Sequence, residues 1–568
     1  MRELDAVIRG GMIFDGTAGP RYRADIGIKD GVITEIGRIP ASRAAREIDA
    51  SGLHVAPGFV DTHTHYDAQL FWDPYCSLSG WHGVTTAVIG NCGFGFAPVA
   101  PAFRDRAMQT MTRVEAIPYA AMKAGLPWDW ETFPEFLDSV ERTPKAVNLA
   151  PCVPLAPMLI TVMGFDRAKA GELPTEAEHA ALQEMLRESM NAGGIGWSAQ
   201  VLPLDGPAPV QRDFDGGPMV TDVMHLETAC ALAEVLAERN EGSIQLTVGL
   251  AGENGETVQF YERVAEISGR SVIFNVVQGN VNNPGQHTLS MQWLASCRER
   301  GLKIVGQSLT TRAGFTFTLD EWNLYDDNDA WCEVTLGNIE ERLEKMADPE
   351  RRPALRELVP MASTVSIDDV MIAETGSPRL KEFEGLTCSE AAEKLGVPHP
   401  VDAMLDIAVR DKLQTTFYGE SLNHDLDVLR EIVADPHLMP GVSDGGAHTK
   451  FITVGRFPTE FLAELVRENQ MCTLEQAHYR LSALPARTVG LEDRGTLEVG
   501  KAADIVVYDY EKLAVEPMEV AHDFPGDEWR RVQRASGYRY VLVNGNVTIE
   551  DDKETRSYSG RLLRHGRA

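Results

Sequence analysis

Apolar and polar positions along the chain change period twice. Near the start, apolar residues alternate with polar ones in short runs punctuated by glycine, at residues 5–11, 24–31 and 32–37. That spacing predicts short antiparallel strands, with Lys29-Asp30-Gly31 as a hairpin turn. The same pattern returns at residues 501–509 and 538–545. The two termini are therefore expected to pair into one composite β domain, with the middle of the chain inserted into it.

The middle alternates short apolar strands with amphipathic helices, the pattern of a parallel βα architecture. A first strand runs into His63. Further strands are expected at residues 85–90, 146–150, 194–198, 243–248, 271–276, 303–306 and 440–444, which brings the number to eight. Thr175-Glu176-Ala177-Glu178 reads as a capping box that opens a helix closed by Gly193-Gly194, and Thr473-Leu474-Glu475-Gln476 opens another that stops at Pro485. The fold class is thus α/β: a (β/α)8 TIM-like barrel over residues 57–484, with a small β-sandwich domain assembled from residues 1–56 and 485–568. About 130 residues separate the last two strands, too many for a simple loop. They include a helical stretch at 336–346 and a polar, aromatic segment at 321–331, read either as a wall of the pocket or as a solvated surface subdomain.

The chain has 568 residues, enough for such a barrel with a sizeable core. Its 53 Lys and Arg against 84 Asp and Glu give a net charge of -31, which disfavours nucleic acid and anionic membrane as partners. The first residues lack the apolar core of a signal peptide, and no apolar run is long enough to span a bilayer, so a cytoplasmic protein is expected. Eight scattered cysteines form no Cys-x-x-Cys pair, which argues against a disulfide framework or a zinc knuckle. Exposed sheet edges in the terminal domain leave room for a homo-oligomer.

Candidate chemistry collects at the strand ends. In Phe59-Val60-Asp61-Thr62-His63-Thr64-His65 two histidines stand at i and i+2, so both rings face one side. Neutral imidazoles converging at the carboxyl end of a strand point to a divalent metal such as zinc. After the second strand, Gly90-Asn91-Cys92-Gly93 places a thiol among glycines; Cys92 is either a metal ligand or a small residue in a tight turn. After the eighth, Ser443-Asp444-Gly445-Gly446-Ala447-His448-Thr449-Lys450 carries an acid able to serve as ligand and proton carrier. His448 and Lys450 lie further out, as candidates for substrate binding. Glu253 reads as a turn residue. His225, placed three residues into a helix beginning near Asp222, and His82, before the second strand, read as packing or hydrogen-bonding residues.

These residues carry a resemblance. Pro57 to His65, His82-Gly83-Val84-Thr85-Thr86 with Gly90-Asn91-Cys92-Gly93, Ser443-Asp444-Gly445, and the run from Gly495 to Val506 resemble the amidohydrolase superfamily. Gly-Asn-Cys-Gly after strand two points within it to the N-acyl-D-amino-acid deacylase (D-aminoacylase) family. The resemblance runs from end to end. It implies a metal-dependent barrel and hydrolysis of an amide by metal-activated water, with His63, His65 and Cys92 as ligands and Asp444 as the ligand that doubles as general base and acid.

The departures narrow that expectation. The family places metal-binding histidines at the ends of strands five and six, where this chain has Gln245-Leu246-Thr247-Val248 and Phe274-Asn275-Val276-Val277. Strand four offers no Lys to bridge two ions, Pro154-Leu155-Ala156 stands where the family has Gly-His-Gly, and the family's substrate-binding Arg is represented by Lys450. One zinc or other divalent ion per chain is expected, held by His63, His65, Cys92 and Asp444. The expected activity is hydrolysis of the amide bond of a small N-acyl, amino acid-like compound. The alternatives are cyclic imide or lactone hydrolysis or deamination on the same metal, or a catalytically weakened scaffold.

Overall fold

A computed structural model describes residues 4–40, 44–202, 212–247, 255–281, 283–320, 328–357 and 366–565. The chain opens with β1 (Leu4–Ile13), β2 (Tyr22–Lys29), β3 (Val32–Gly37), β4 (Ala44–Asp49) and β5 (His54–Pro57). The predicted hairpin joins β2 to β3, with Asp30 and Gly31 at φ 51° and 81°, the left-handed pair that a two-residue turn requires.

The chain then passes from one sheet to the next across a single residue, Gly58, before β6 (Phe59–Asp61). A Cβ at Gly58 would fall 2.1 Å from the Thr85 hydroxyl, so only glycine fits the crossing. Parallel strands follow: β7 (Val84–Ile89), β8 (Asn148–Pro151), β9 (Val153–Pro154), β10 (Gly196–Gln200), β11 (Ser243–Thr247), β12 (Ser271–Val277) and β13 (Ile304–Leu309). Helices alternate with them, including α1 (Arg104–Glu115) after β7, α2 (Leu155–Met163) and α3 (Glu176–Ala192) after β9, and α4 (Leu226–Arg239) after β10. Thr175 caps α3 with a reciprocal capping box, and Gly193 ends it.

After β13 the chain makes the expected excursion. β14 (Ala313–Phe317), β15 (Met371–Glu374) and β16 (Thr416–Leu422) form an antiparallel sheet of order β14-β16-β15. Phe317, Trp331, Phe383, Leu405 and Phe417 build its core, which also takes in Ala116, Val442 and Phe451. The excursion thus packs against the segment that follows α1 and the one that follows β17 (Met439–Gly441). β18 (Ile505–Tyr508), β19 (Tyr538–Val543), β20 (Asn546–Glu550) and β21 (Lys553–Glu554) complete the chain's main strands.

The parallel strands form two arcs. One has the order β6-β7-β8 and the other β9-β10-β11-β12-β13-β17. Only Cys152 separates β8 from β9, and its N–H donates to Ile89 O at 2.9 Å. At the other end, Thr64 and Gly445 form a parallel bridge between the continuations of β6 and β17. Both termini share one nine-stranded sheet, in which β18 runs antiparallel to β5 and β19. Among the described residues no helix is long and apolar enough to cross a membrane, and all eight cysteines are free.

Three local expectations are corrected. The stretch at 336–346 is divided: one helix is Asp329–Thr335, the next Ile339–Ala347, and Asn338 caps the second through Glu341. His225 is the residue preceding α4, with extended backbone, rather than a residue inside a helix. The helix opened by Thr473 does not stop at Pro485. A π-helical turn at Tyr479–Ala483 leads into a further helical turn, Leu484–Thr488, in which Pro485 occupies the first turn, where its missing N–H costs least. Residues 321–327 of the aromatic segment, and Glu253, lie outside the described residues.

Candidate metal centre

The His63-Thr64-His65 segment is held as a continuation of β6 by bonds from both sides. Thr64 Oγ1 donates to Val88 O at 2.6 Å, Asn91 Nδ2 donates to Thr64 O at 3.1 Å, and the His65 N–H donates to Gly445 O at 2.7 Å. Ser443 Oγ donates to His63 O at 3.1 Å. The two-residue period of an extended chain then sends both imidazoles the same way, and their ring centroids lie 5.5 Å apart.

The structure brings His63, His65 and Cys92 together and sets Asp444 beside the two histidines. Donor atoms of His63, His65 and Cys92 lie within 4.8 Å of one another, all from buried residues. His63 Nε2 is 3.4 Å from Cys92 Sγ and 3.3 Å from Asp444 Oδ1; His65 Nε2 is 3.8 Å from the same Asp444 oxygen. These separations match a shared ion, since ligand bonds of 2.0–2.3 Å in a tetrahedron set neighbouring donors roughly 3.4 Å apart. Cys92 and Asp444 both sit in the left-handed region, at φ 57° and 46°. Holding two non-glycine residues there costs on the order of 1–3 kcal/mol each, and such strain concentrates at functional sites.

The electrostatics fit a cation. Burial drives His63 down to about 3 and His65 well below its ordinary value, so both rings are neutral and offer lone pairs at neutral pH. Burial, then Asp61, raises Asp444 to about 7, although 26% of its side chain remains exposed and solvent moderates the rise. Burial and the neighbouring Glu115 hold the Cys92 thiol well above its usual range. A divalent ion among these groups reverses that cost, because it favours thiolate and carboxylate forms.

Where the family reading places imidazoles on strands five and six, the structure has an amide and hydroxyl network. Thr247 Oγ1 accepts from Gln245 Nε2 at 3.0 Å and from Asn275 Nδ2 at 3.1 Å, and it lies 3.4 Å from Cys92 Sγ. Gln245 Oε1 accepts from the Cys92 N–H at 2.7 Å. The network holds Cys92 through both its N–H and its thiol.

A model of the amidohydrolase family matches residues 46–208 and 277–549. The chain belongs to the amidohydrolase family. This amidohydrolase is 28% identical to the N-acyl-D-glutamate deacylase of Alcaligenes xylosoxydans xylosoxydans, over 99% of the chain and 97% of the relative. It is 27% identical to the D-aminoacylase of the same organism, again over 99% and 97%. Among solved structures, the N-acyl-D-glutamate deacylase of Bordetella bronchiseptica, complexed with zinc and a phosphonate mimic of the tetrahedral intermediate, matches with a TM-score of 0.69 at 25% identity. That match covers 99% of this chain and 100% of the other. The resemblance read from the sequence is borne out along nearly the whole chain.

Around its centre the amidohydrolase holds residues that sequence reasoning did not single out. Glu115, the last residue of α1, is 3% exposed; its Oε1 lies 3.5 Å from His65 Nε2 and its Oε2 3.4 Å from His448 Nε2. Nothing in a helix-forming run such as Arg113-Val114-Glu115 marks that residue, and only the packing of α1 reveals it. His448 therefore meets Glu115, and Lys450 is buried with its Nζ 2.8 Å from Glu528 and 5.0 Å above the Trp529 ring. Arg530 and Arg531 line a small cavity together with Asp444. His82 lies apart from the metal cluster: its ring nitrogens meet Thr459 Oγ1 at 2.8 Å and Gln533 O at 3.0 Å.

An apolar cavity of about 290 Å³ is lined by Phe94, Gly95, Ala107, Met111, Ala156 and Ile160 among others. Phe94 follows Cys92 by two residues. Met111 precedes Glu115 by one helical turn, about 6 Å along α1.

Proposed function

We propose that this amidohydrolase uses one divalent ion, zinc by the chemistry of its donors, to hydrolyse the amide bond of a small N-acyl, amino acid-like compound. The observation that carries this reading is the convergence of His63, His65 and Cys92 within 4.8 Å, with Asp444 Oδ1 3.3 Å from His63 Nε2. The two strand arcs are read as a single (β/α)8 barrel, supported by the Thr64–Gly445 bridge and the Cys152 join. The site then stands at the carboxyl ends of its strands, where barrels of this class hold their chemistry. The terminal sheet is read as part of a small β domain packed on that barrel.

When bound, the ion supplies Lewis acidity toward water and the amide carbonyl. His63, His65 and Cys92 would hold it, with Asp444 completing the set. Asp444 would take a proton from the attacking water and return it to the leaving nitrogen, a role suited to a carboxylate beside the two histidines with 26% of its side chain open. The Thr247, Gln245 and Asn275 network fixes Cys92 and occupies the space of a second ion's ligands, which supports one ion per chain. The apolar cavity beside Phe94 suits the acyl arm, and Arg531 and Lys450 are candidates for a carboxylate on the other arm.

The test is metal analysis of purified protein combined with hydrolysis of N-acyl amino acids of both hands, beside an Asp444→Asn variant. Absence of bound metal, or activity indifferent to the substitution, would sink the reading. A second reading keeps the centre and changes the substrate, and the hydroxyl and amide groups in place of strand-five and strand-six imidazoles favour testing it. Turnover confined to esters or cyclic imides would replace the deacylase assignment.

A further inference from the structure

Glu115 is the residue whose placement is hardest to explain without the metal. It is buried at the carboxyl-terminal end of α1, where the helix dipole opposes a negative charge. Yet the fold fixes it firmly. The next residue, Ala116, turns the chain at φ 50°, and the Glu115 carbonyl accepts from the His448 N–H at 2.6 Å. One carboxylate oxygen is 3.5 Å from His65 Nε2, the same range as the spacings among the four expected ligands, and the other is 3.4 Å from His448 Nε2.

We infer that Glu115 is an additional ligand to the metal, supplied by α1 on the His65 side of the centre, with His448 as the residue that positions its second oxygen. The sequence lacks imidazoles on strands five and six, and the structure offers instead a carboxylate from α1 on the His65 side of the centre. The pairing of a ligating carboxylate with a buried imidazole is an orienting device of the kind that tunes metal sites. His448, itself held at φ 51°, would then act on the ion only through Glu115.

This inference rests on the metal centre of the proposed function, and one titration separates the two. Metal-free wild type, Glu115→Gln and His448→Gln are titrated with Zn2+ against a chromophoric chelator, and with Co2+ while recording the visible absorption of the bound ion. Glu115→Gln retains the hydrogen-bonding shape of a protonated acid and removes the charge. The expected result is about a tenfold or larger loss of Zn2+ affinity in Glu115→Gln with an altered Co2+ spectrum, and a loss of the same sign in His448→Gln. Circular dichroism confirms folding; if Glu115→Gln is unfolded, Glu115→Asp is expected to show the weaker binding instead. Unchanged affinity and spectrum in a folded Glu115 variant would overturn the assignment while leaving the centre intact. Failure of the wild type to bind either ion would overturn the centre and Glu115 with it.

Discussion

The His65 N–H donates to the Gly445 carbonyl at 2.7 Å, and this bond sets the first and last parallel strands side by side. It is the reason two histidines and an aspartate almost 380 residues apart can share one ion. Gly446 protects the contact: it has φ 93°, and a Cβ there would lie 2.5 Å from His65 O. Gly446→Ala is therefore expected to cost on the order of 1–3 kcal/mol and to lower metal content. Thermal melting and metal analysis of the variant check both, and wild-type values for both would show that the junction tolerates displacement.

Asp444→Asn should retain the hydrogen-bonding shape of the side chain and lose its proton-accepting role. Turnover is expected to fall by about 10²–10⁴-fold, with KM moving far less than kcat. Steady-state kinetics on the best N-acyl substrate measure this, and a pure KM effect would assign Asp444 to binding instead.

Removal of the ion should be reversible and visible in stability as well as activity. A chelator is expected to abolish hydrolysis and to lower unfolding stability by about 2.7 kcal/mol relative to protein held at 100 times its dissociation constant in metal. Re-addition of Zn2+ should restore both. A melting temperature indifferent to the chelator would argue that the donors do not share an ion.

His82 gives a pH prediction away from the centre. Burial lowers it from 6.5 to about 4. Its folded form is neutral, so its contribution is present above pH 6.5 and is lost as pH falls toward 4, where the unfolded chain binds the proton first. His82→Gln should be more destabilising at pH 7.5 than at pH 4.5, with the gap between variant and wild type shrinking by about 2–3 kcal/mol across that window. Denaturant unfolding at the two pH values measures the gap; a constant gap would contradict a buried neutral ring.

The apolar cavity beside Phe94 should set acyl preference. Ala156→Phe is expected to depress kcat/KM for long acyl chains and to leave acetyl substrates nearly unchanged. Uniform loss across chain lengths would separate the cavity from the substrate.

Much of the frame was legible in the sequence because its periods are strong. The strands expected at 85–90, 243–248 and 271–276 lie within one residue of Val84–Ile89, Ser243–Thr247 and Ser271–Val277. His63, His65, Cys92 and Asp444 were legible because strand ends in a parallel sheet all point to one face. Glu115 was not, since its meaning depends on the angle at which α1 packs. Lys450, read as a substrate-binding candidate, lines a cavity with Arg531, and its ion pair with Glu528, which comes from a strand about 80 residues later, was not legible. The divided helix at 329–347 and the passage through Pro485 reflect caps and a widened turn that helical periodicity does not encode.

The antiparallel pairing of Pro57 with Ile505 has a consequence for the timing of synthesis. The edge of β5 that receives β18 stays open while roughly 450 further residues are made, about 20–90 s at ribosomal rates of 5–20 residues per second. During that interval the inserted strands and helices can consolidate, but the sheet shared by the two termini cannot close. The sheet is thus closed by a strand made long after its partner, and a nascent chain halted before β18 would present an unpaired strand edge to every neighbouring chain.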